Sequence, residues 1–226
     1  MSINISKSVE FFNPADVTER CHIIGCGAGG SAAAELLTRL GLTKIVLYDF
    51  DIVNPHNIAN QLFTQRDIGD YKTEAVARMM ADINPDLKQT LEIHTEGWKS
   101  GMPLDGYVFL CVDNIDLRRQ IATENKFNQA IKVMFDFRTG LTTGQHYAAV
   151  WENLRSVKNF IDSMDFTHEE AKASTPVTAC GMELGVAPTV RLMANLGVAN
   201  FINYVKTGSL KKFINIDAFG FDLTAC

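Results

Sequence analysis

The chain has 226 residues, 46% of them hydrophobic and 21% charged, with a formal net charge of -5. That suffices for one large α/β domain with its own core, and an acidic balance without a basic run speaks against a nucleic-acid surface. No apolar run is long enough for a membrane span, no signal-peptide blocks open the chain, and five cysteines include no Cys-x-x-Cys pair; a cytoplasmic protein with neither a disulfide framework nor structural zinc is expected.

In chain order, residues 1–19 read as a short N-terminal segment and 20–226 as a single domain. Cys21-His22-Ile23-Ile24 marks a buried strand over 20–25, and Gly25-Cys26-Gly27-Ala28-Gly29-Gly30 leads from it into a helix over 29–40. Gly41 stops that helix, and a strand over 44–49 ends in Asp49-Phe50-Asp51. Further on, the pattern predicts a helix over 71–84, strands over 88–94 and 106–112, a helix over 115–129 and a strand over 131–136. Gln145–Val150 reads as an added antiparallel strand, 151–181 as less periodic with a loop at 173–178, and 182–206 as a helix. Its apolar stripe is Ala187, Val190, Ala194, Val198, Phe201 and Val205. This alternation predicts an α/β fold: a Rossmann-like, mostly parallel sheet with helices on both faces and antiparallel strands added in the C-terminal half.

In a strand–turn–helix of this kind one glycine permits the tight turn, a second lets backbone approach phosphate, and a third lets helix and strand pack. The helix start then offers free N–H groups to an anion, and Asp49 stands where an acid bonds a ribose hydroxyl. ATP and NAD fit this turn equally well. A P-loop is excluded, because no Gly-Lys dipeptide occurs. Three further residues have two readings each on their own. Asp51 is a turn acid or a metal ligand, Lys72 a solvated first-turn lysine or a phosphate cation, and Asp113 a helix cap or a metal ligand. Cys26 and Cys111 read as packing residues and His56 as a turn histidine.

Taken together in order, the glycine turn, Asp49-Phe50-Asp51, Asn57-Ile58-Ala59-Asn60-Gln61, Lys72, Asn84-Pro85 and Cys111-Val112-Asp113-Asn114 resemble the ThiF/MoeB-like adenylyltransferases, whose catalytic domain is shared with ubiquitin-activating enzymes. The resemblance runs from about residue 20 to 207. It implies an enzyme that uses ATP and Mg²⁺ to join a carboxylate to AMP. The substrate would be the C-terminus of a small ubiquitin-like or sulfur-carrier protein or peptide, and the enzyme a homodimer. By the same resemblance Gly25, Gly27, Gly29 and Gly30 cradle phosphate, Asp49 holds ribose, Asp51 and Asp113 hold Mg²⁺, and Lys72 faces the phosphates. Asn57, Asn60 and Gln61 fall at nucleotide-contacting positions, Asn114 lies by the adenine-side wall, and Cys180, in the family's cysteine-bearing crossover loop, is either a small packing residue or a catalytic or persulfide-type cysteine.

The chain departs from the pattern at Asn60, where the family has an arginine, and residues 1–19 hold no arginine. Asn60 cannot copy a forked cationic phosphate donor. Arg66 and Arg138 are candidate substitutes by their nearness to the motifs. The expected activity is therefore adenylyl transfer, with a weakened ATP-binding scaffold of the same fold as the alternative and an NAD-dependent oxidoreductase as the third reading.

Overall fold

The computed structural model describes residues 3–174, 176–177 and 184–226. Five parallel strands are formed by β1 (Cys21–Ile24), β2 (Ile45–Tyr48), β3 (Glu92–His94), β4 (Gly106–Leu110) and β5 (Ile131–Thr139). Three antiparallel strands extend the sheet: β6 (Thr143–Val150), β7 (Phe213–Asp217) and β8 (Asp222–Ala225). The order is β3-β2-β1-β4-β5-β6-β7-β8. Alternate residues of the central strands feed two cores. Cys21, Ile23, Leu47, Phe109 and Phe135 pack under α1 (Ala28–Arg39), α2 (Lys72–Ile83) and α6 (Ala187–Thr207). Ile24, Val46, Val108, Leu110 and Met134 pack under α3 (Ile115–Glu124) and α4 (Leu154–Asp162). Both faces are thus covered, as a parallel sheet requires.

The expected architecture is present, and several boundaries differ from the sequence reading. Asn84 turns the chain by accepting a bond from the Asp86 amide at 3.3 Å, and Pro85–Gln89 form a 3-10 turn. The strand expected over 88–94 is therefore only Glu92–His94. The helix expected over 115–129 ends at Glu124, where the Asn125 side chain bonds back to the Ile121 carbonyl at 2.9 Å. The stretch read as less periodic contains α4, capped by Asn153, and α5 (His168–Ser174). Helix α6 begins at Ala187, and residues 184–186 before it are not helical. The expected loop at 173–178 lies partly outside the described residues; its first two residues close α5.

Between β6 and α6 a buried histidine joins the two layers. His146 Nδ1 donates to the Asp136 carbonyl at 3.1 Å, and its Nε2 accepts from Asn200 Nδ2 at 3.0 Å. Asn200 in turn clamps both backbone groups of Lys211, at 2.8 and 2.9 Å. Burial pulls the imidazole down from the ordinary 6.5 to about 4, against the Asp136 hydrogen bond. The unfolded chain therefore takes up a proton at pH values where the folded chain does not. Stability present above pH 6.5 is lost as pH falls toward 4, by about 3 kcal/mol. Urea unfolding of wild type and His146→Gln across this range checks it. The wild-type curve should fall more steeply, and parallel curves would exclude the assignment.

Candidate functional site

The strand order places the change of winding direction between β1 and β4, with β2 and β3 on one side and β5 on the other. In open α/β sheets ligands bind in the crevice at the carboxyl ends of the strands beside such a point. Here the crevice is made by the turn after β1, Gly25–Gly27, and the turn after β4, Cys111–Asn114. Their approach is very close. Gly25 has φ 94°, and a Cβ there would stand 2.6 Å from the Val112 amide nitrogen. A Cβ on Gly30 would overlap the Gly25 carbonyl oxygen. These two glycines are required by geometry. At Gly29 a Cβ would meet only Phe137, at 3.9 Å, an ordinary contact.

Helix α1 is preceded by Gly27 as its cap residue, with no side chain capping the first amides. Its N–H groups, and the positive end of its dipole, face the crevice. Asp49 braces the turn from β2: one carboxylate oxygen accepts from the Cys26 amide at 2.6 Å, the other from the Asp51 amide at 2.8 Å. Burial raises the Asp49 carboxyl above its ordinary value, and these two N–H bonds and Lys72 oppose the rise. Asp51 reaches the other way, to Lys72 Nζ at 2.7 Å. Lys72 opens α2, where the helix dipole disfavours a cation. Its side chain is nonetheless only 10% exposed, whereas that of Asp51 is 51% exposed. The Asp51 carbonyl also accepts the Lys72 amide at 2.9 Å, so one residue fixes both ends of the lysine.

The loop after β2 folds back over α1. Asn57 is buried, and its side-chain oxygen accepts from the Asn54 amide at 2.8 Å, which shapes a 3-10 turn over Pro55–Ala59. The Leu62 amide donates to Ser31 Oγ at 3.2 Å, tying the loop to the first turns of α1. Gln61 thereby lies over Gly27, its Oε1 3.8 Å from where a Cβ would stand. That oxygen is buried and has no hydrogen-bond partner among the described residues. A buried amide left unpaired is costly, and a polar ligand over the glycine turn would satisfy it. Asn60 sits beside Gly185, its Nδ2 3.0 Å from a Cβ built there.

Asn114, not Asp113, caps α3, accepting from the Leu117 amide at 3.0 Å. Asp113 is left exposed, with no hydrogen bond or ion pair among the described residues. The two candidate replacement arginines are engaged elsewhere. Arg66 pairs with Asp82 at 3.2 Å on the surface. Arg138 pairs with buried Asp136 at 2.6 Å and bonds the Ser163 carbonyl and hydroxyl. Cys26 is buried, and burial pushes the Cys111 thiol up to about 12, which leaves both unreactive. His56 is exposed. Cys180 lies outside the described residues.

Arg118 and Asp136 also border the crevice and were not singled out from the sequence. Their signal was present: Arg118 shares the inward stripe of α3 with Ile115, Ile121 and Ala122, and Asp136 interrupts an apolar strand. A charge on a core-facing position needs a partner.

The residues present suit a nucleotide with a divalent cation. No side chain caps the helix start at the turn, the buried Gln61 oxygen over it has no partner among the described residues, and the exposed Asp113 carboxylate stands in the adjoining turn. Among the described residues no three His, Cys, Asp or Glu side chains cluster as a metal cage. A cation held here would rely on one carboxylate with phosphate oxygens and waters, the coordination that Mg²⁺ favours.

Fold and crevice together define a Rossmann-like α/β protein with its glycine turn at the crossover point. Residues 17–226 match the ThiF family, and the chain belongs to that family. It is 35% identical over 147 residues to ubiquitin-like modifier-activating enzyme 5 of Drosophila virilis, covering 56% of this chain and 35% of that protein. With the Aedes aegypti enzyme of the same name it shares 37% identity over 117 residues, 45% of this chain and 29% of that protein. The chain thus spans about a third of the length of these curated relatives. Among solved structures it resembles E. coli MccB with ATP (TM-score 0.70, 16% identity, 94% of this chain and 65% of that one). PaaA is similar (TM-score 0.69, 16% identity, 94% and 65%). No helix among the described residues is long and apolar enough to cross a membrane.

Proposed function

We propose that the chain is an ATP-dependent adenylyltransferase that activates the carboxyl terminus of a small ubiquitin-like or sulfur-carrier protein or peptide. Asp113 carries the reading: an exposed carboxylate with no partner among the described residues, in the turn that packs against Gly25 and ahead of a helix already capped by Asn114. Family membership supports it. So do relatives named as activating enzymes of a ubiquitin-like modifier. Family membership also favours ATP over the dinucleotide that the glycine turn alone would equally admit.

The chemical problem is to bring an anionic carboxylate onto an anionic α-phosphate, which calls for positioning and charge neutralisation. The substrate oxygen would attack α-phosphorus, the bond to the β-phosphate oxygen would break, and pyrophosphate would leave. No proton need move. The α1 amides and Gly25–Gly29 would receive phosphate, Asp49 would hold ribose while bracing the turn, and Gln61 would pair its amide with the nucleotide. Lys72, pre-placed by Asp51, would neutralise phosphate charge. Asp113 would hold Mg²⁺, which supplies further neutralisation when bound. The Asp51 carboxylate, taken up by the lysine, serves better as its holder than as a second metal ligand.

ATP–pyrophosphate exchange with candidate carboxyl-terminal peptides tests the reading. Asp113→Ala should lower exchange by about 10²–10³ and shift stability by less than about 0.5 kcal/mol, because the carboxylate is exposed and has no partner among the described residues. Equal exchange in both proteins would reject this role for Asp113. The engagement of Arg66 and Arg138 in ion pairs, together with Asn60, favours a second reading, an ATP-binding scaffold without turnover. ATP binding without exchange for any peptide would point to it.

A further inference from the structure

We infer that Arg118 is the positioning residue for Asp113: from the buried side of α3 its guanidinium holds the end of the β4 turn, and so sets where the Asp113 carboxylate stands. The role of Asp113 rests on the ATP reading above; the clamp itself does not.

Every nitrogen of the guanidinium is engaged. Nε donates to the Val112 carbonyl at 2.7 Å, and Nη2 donates to the same oxygen. Nη1 donates to Asp136 Oδ1 and, at 2.7 Å, to the Phe137 carbonyl. Asp136 is fully buried, and its other oxygen accepts from Arg138 Nε at 2.6 Å. Two arginines thus share one interior carboxylate, an arrangement whose desolvation makes it a poor device for stability alone. What it secures is a backbone oxygen. Val112 is fixed from its other side as well, since its amide nitrogen lies against Gly25 with no space for a Cβ, and the preceding Cys111 amide donates to the Ile24 carbonyl at 2.8 Å.

Asp113 is the next residue, and no side-chain hydrogen bond or ion pair holds it among the described residues. Its placement therefore depends on the backbone on either side. The N-terminal side is gripped by Arg118 through Val112, and the C-terminal side by Asn114, which caps α3 one turn before Arg118 and accepts the Arg118 amide at 3.2 Å. One helical turn thus brackets the carboxylate. A lysine at 118 would keep the charge but lose the planar fork that meets Val112, Asp136 and Phe137 together.

The test is calorimetric titration with ATP, with and without Mg²⁺, of wild type, Arg118→Lys, Asp113→Asn and the double variant. Arg118→Lys should cut the gain in ATP affinity that Mg²⁺ confers by about tenfold, as loss of an outer partner of a metal ligand does. Affinity without Mg²⁺ should be unchanged, and in the Asp113→Asn background Arg118→Lys should lose nothing further. An unchanged gain in Arg118→Lys, or additive losses in the double variant, would overturn the inference. If Arg118→Lys does not fold, Arg118→Gln with Asp136→Asn, which removes both charges together, is titrated against the same criteria. Wild-type protein that binds ATP with no gain from Mg²⁺ would defeat the metal reading and this inference with it. A wild-type gain that the Arg118 variant retains would defeat the inference alone.

Discussion

Gly30→Ala is expected to lower the unfolding free energy by about 3 kcal/mol or more, at the upper end of what overpacking costs. The added methyl would overlap the Gly25 carbonyl oxygen, with the Cys111 side chain 3.3 Å away behind it. A flexible side chain could turn aside from such a contact; a carbonyl in a turn cannot. Gly25 is itself pressed on the Val112 and Cys111 backbone, its amide donates to the Tyr48 carbonyl at 2.8 Å, and Asp49 holds the neighbouring Cys26 amide. The displacement would therefore pass into both β2 and β4. Gly29→Ala, one residue away, is the control. Its methyl would find ordinary contact with Phe137, and alanine favours a helix over glycine by up to about 1 kcal/mol. Thermal unfolding should separate them, with Gly30→Ala lower by roughly 6–12 °C and Gly29→Ala at or above wild type. Similar melting temperatures for the two variants would contradict the geometry of the turn.

That contrast shows what the glycine pattern does and does not encode. The spacing Gly25, Gly27, Gly30 was legible because strand, turn and helix each demand a residue type. Gly29 looks equivalent in the sequence, and only its surroundings relieve it of the requirement. The parallel strands were legible for a similar reason, since burial on both faces makes them continuous apolar runs. Helix α4 was missed although Val157 and Phe160 are buried at helical spacing, because its other positions are mostly polar. β8 left almost no signal: Asp222, Leu223 and Thr224 are all exposed, and the strand is held by backbone pairing to β7. At the site, residue order placed Asp51, Lys72 and Asp113 together, but order could not assign partners. The Lys72–Asp51 pair and the reach of Arg118 to Asp136 and Phe137 depend on distances across separate elements, and the choice of Asn114 over Asp113 as cap depends on local backbone geometry.

Those assigned partners make Lys72 the most demanding test of the proposed chemistry. Lys72→Ala is expected to reduce ATP–pyrophosphate exchange by about a thousandfold, the scale set by removing a cation that faces a transferring phosphoryl group. Its cost in stability should stay below about 1 kcal/mol. Removal leaves Asp51 in water, since that carboxylate is half exposed, and it relieves a cation from the unfavourable start of a helix. Lys72→Arg should not restore activity, because a planar guanidinium cannot take the place of a compact ammonium in a pocket that leaves the side chain 10% exposed. Asp51→Asn keeps the backbone bond that starts α2 and removes only the charge that aims the lysine. It should therefore lose less than Lys72→Ala, about tenfold, and the double variant should be no worse than Lys72→Ala alone. This ordering separates a holder from a ligand. If Asp51 bound the metal directly, its loss would add to that of Lys72, and the double variant would fall below either single one.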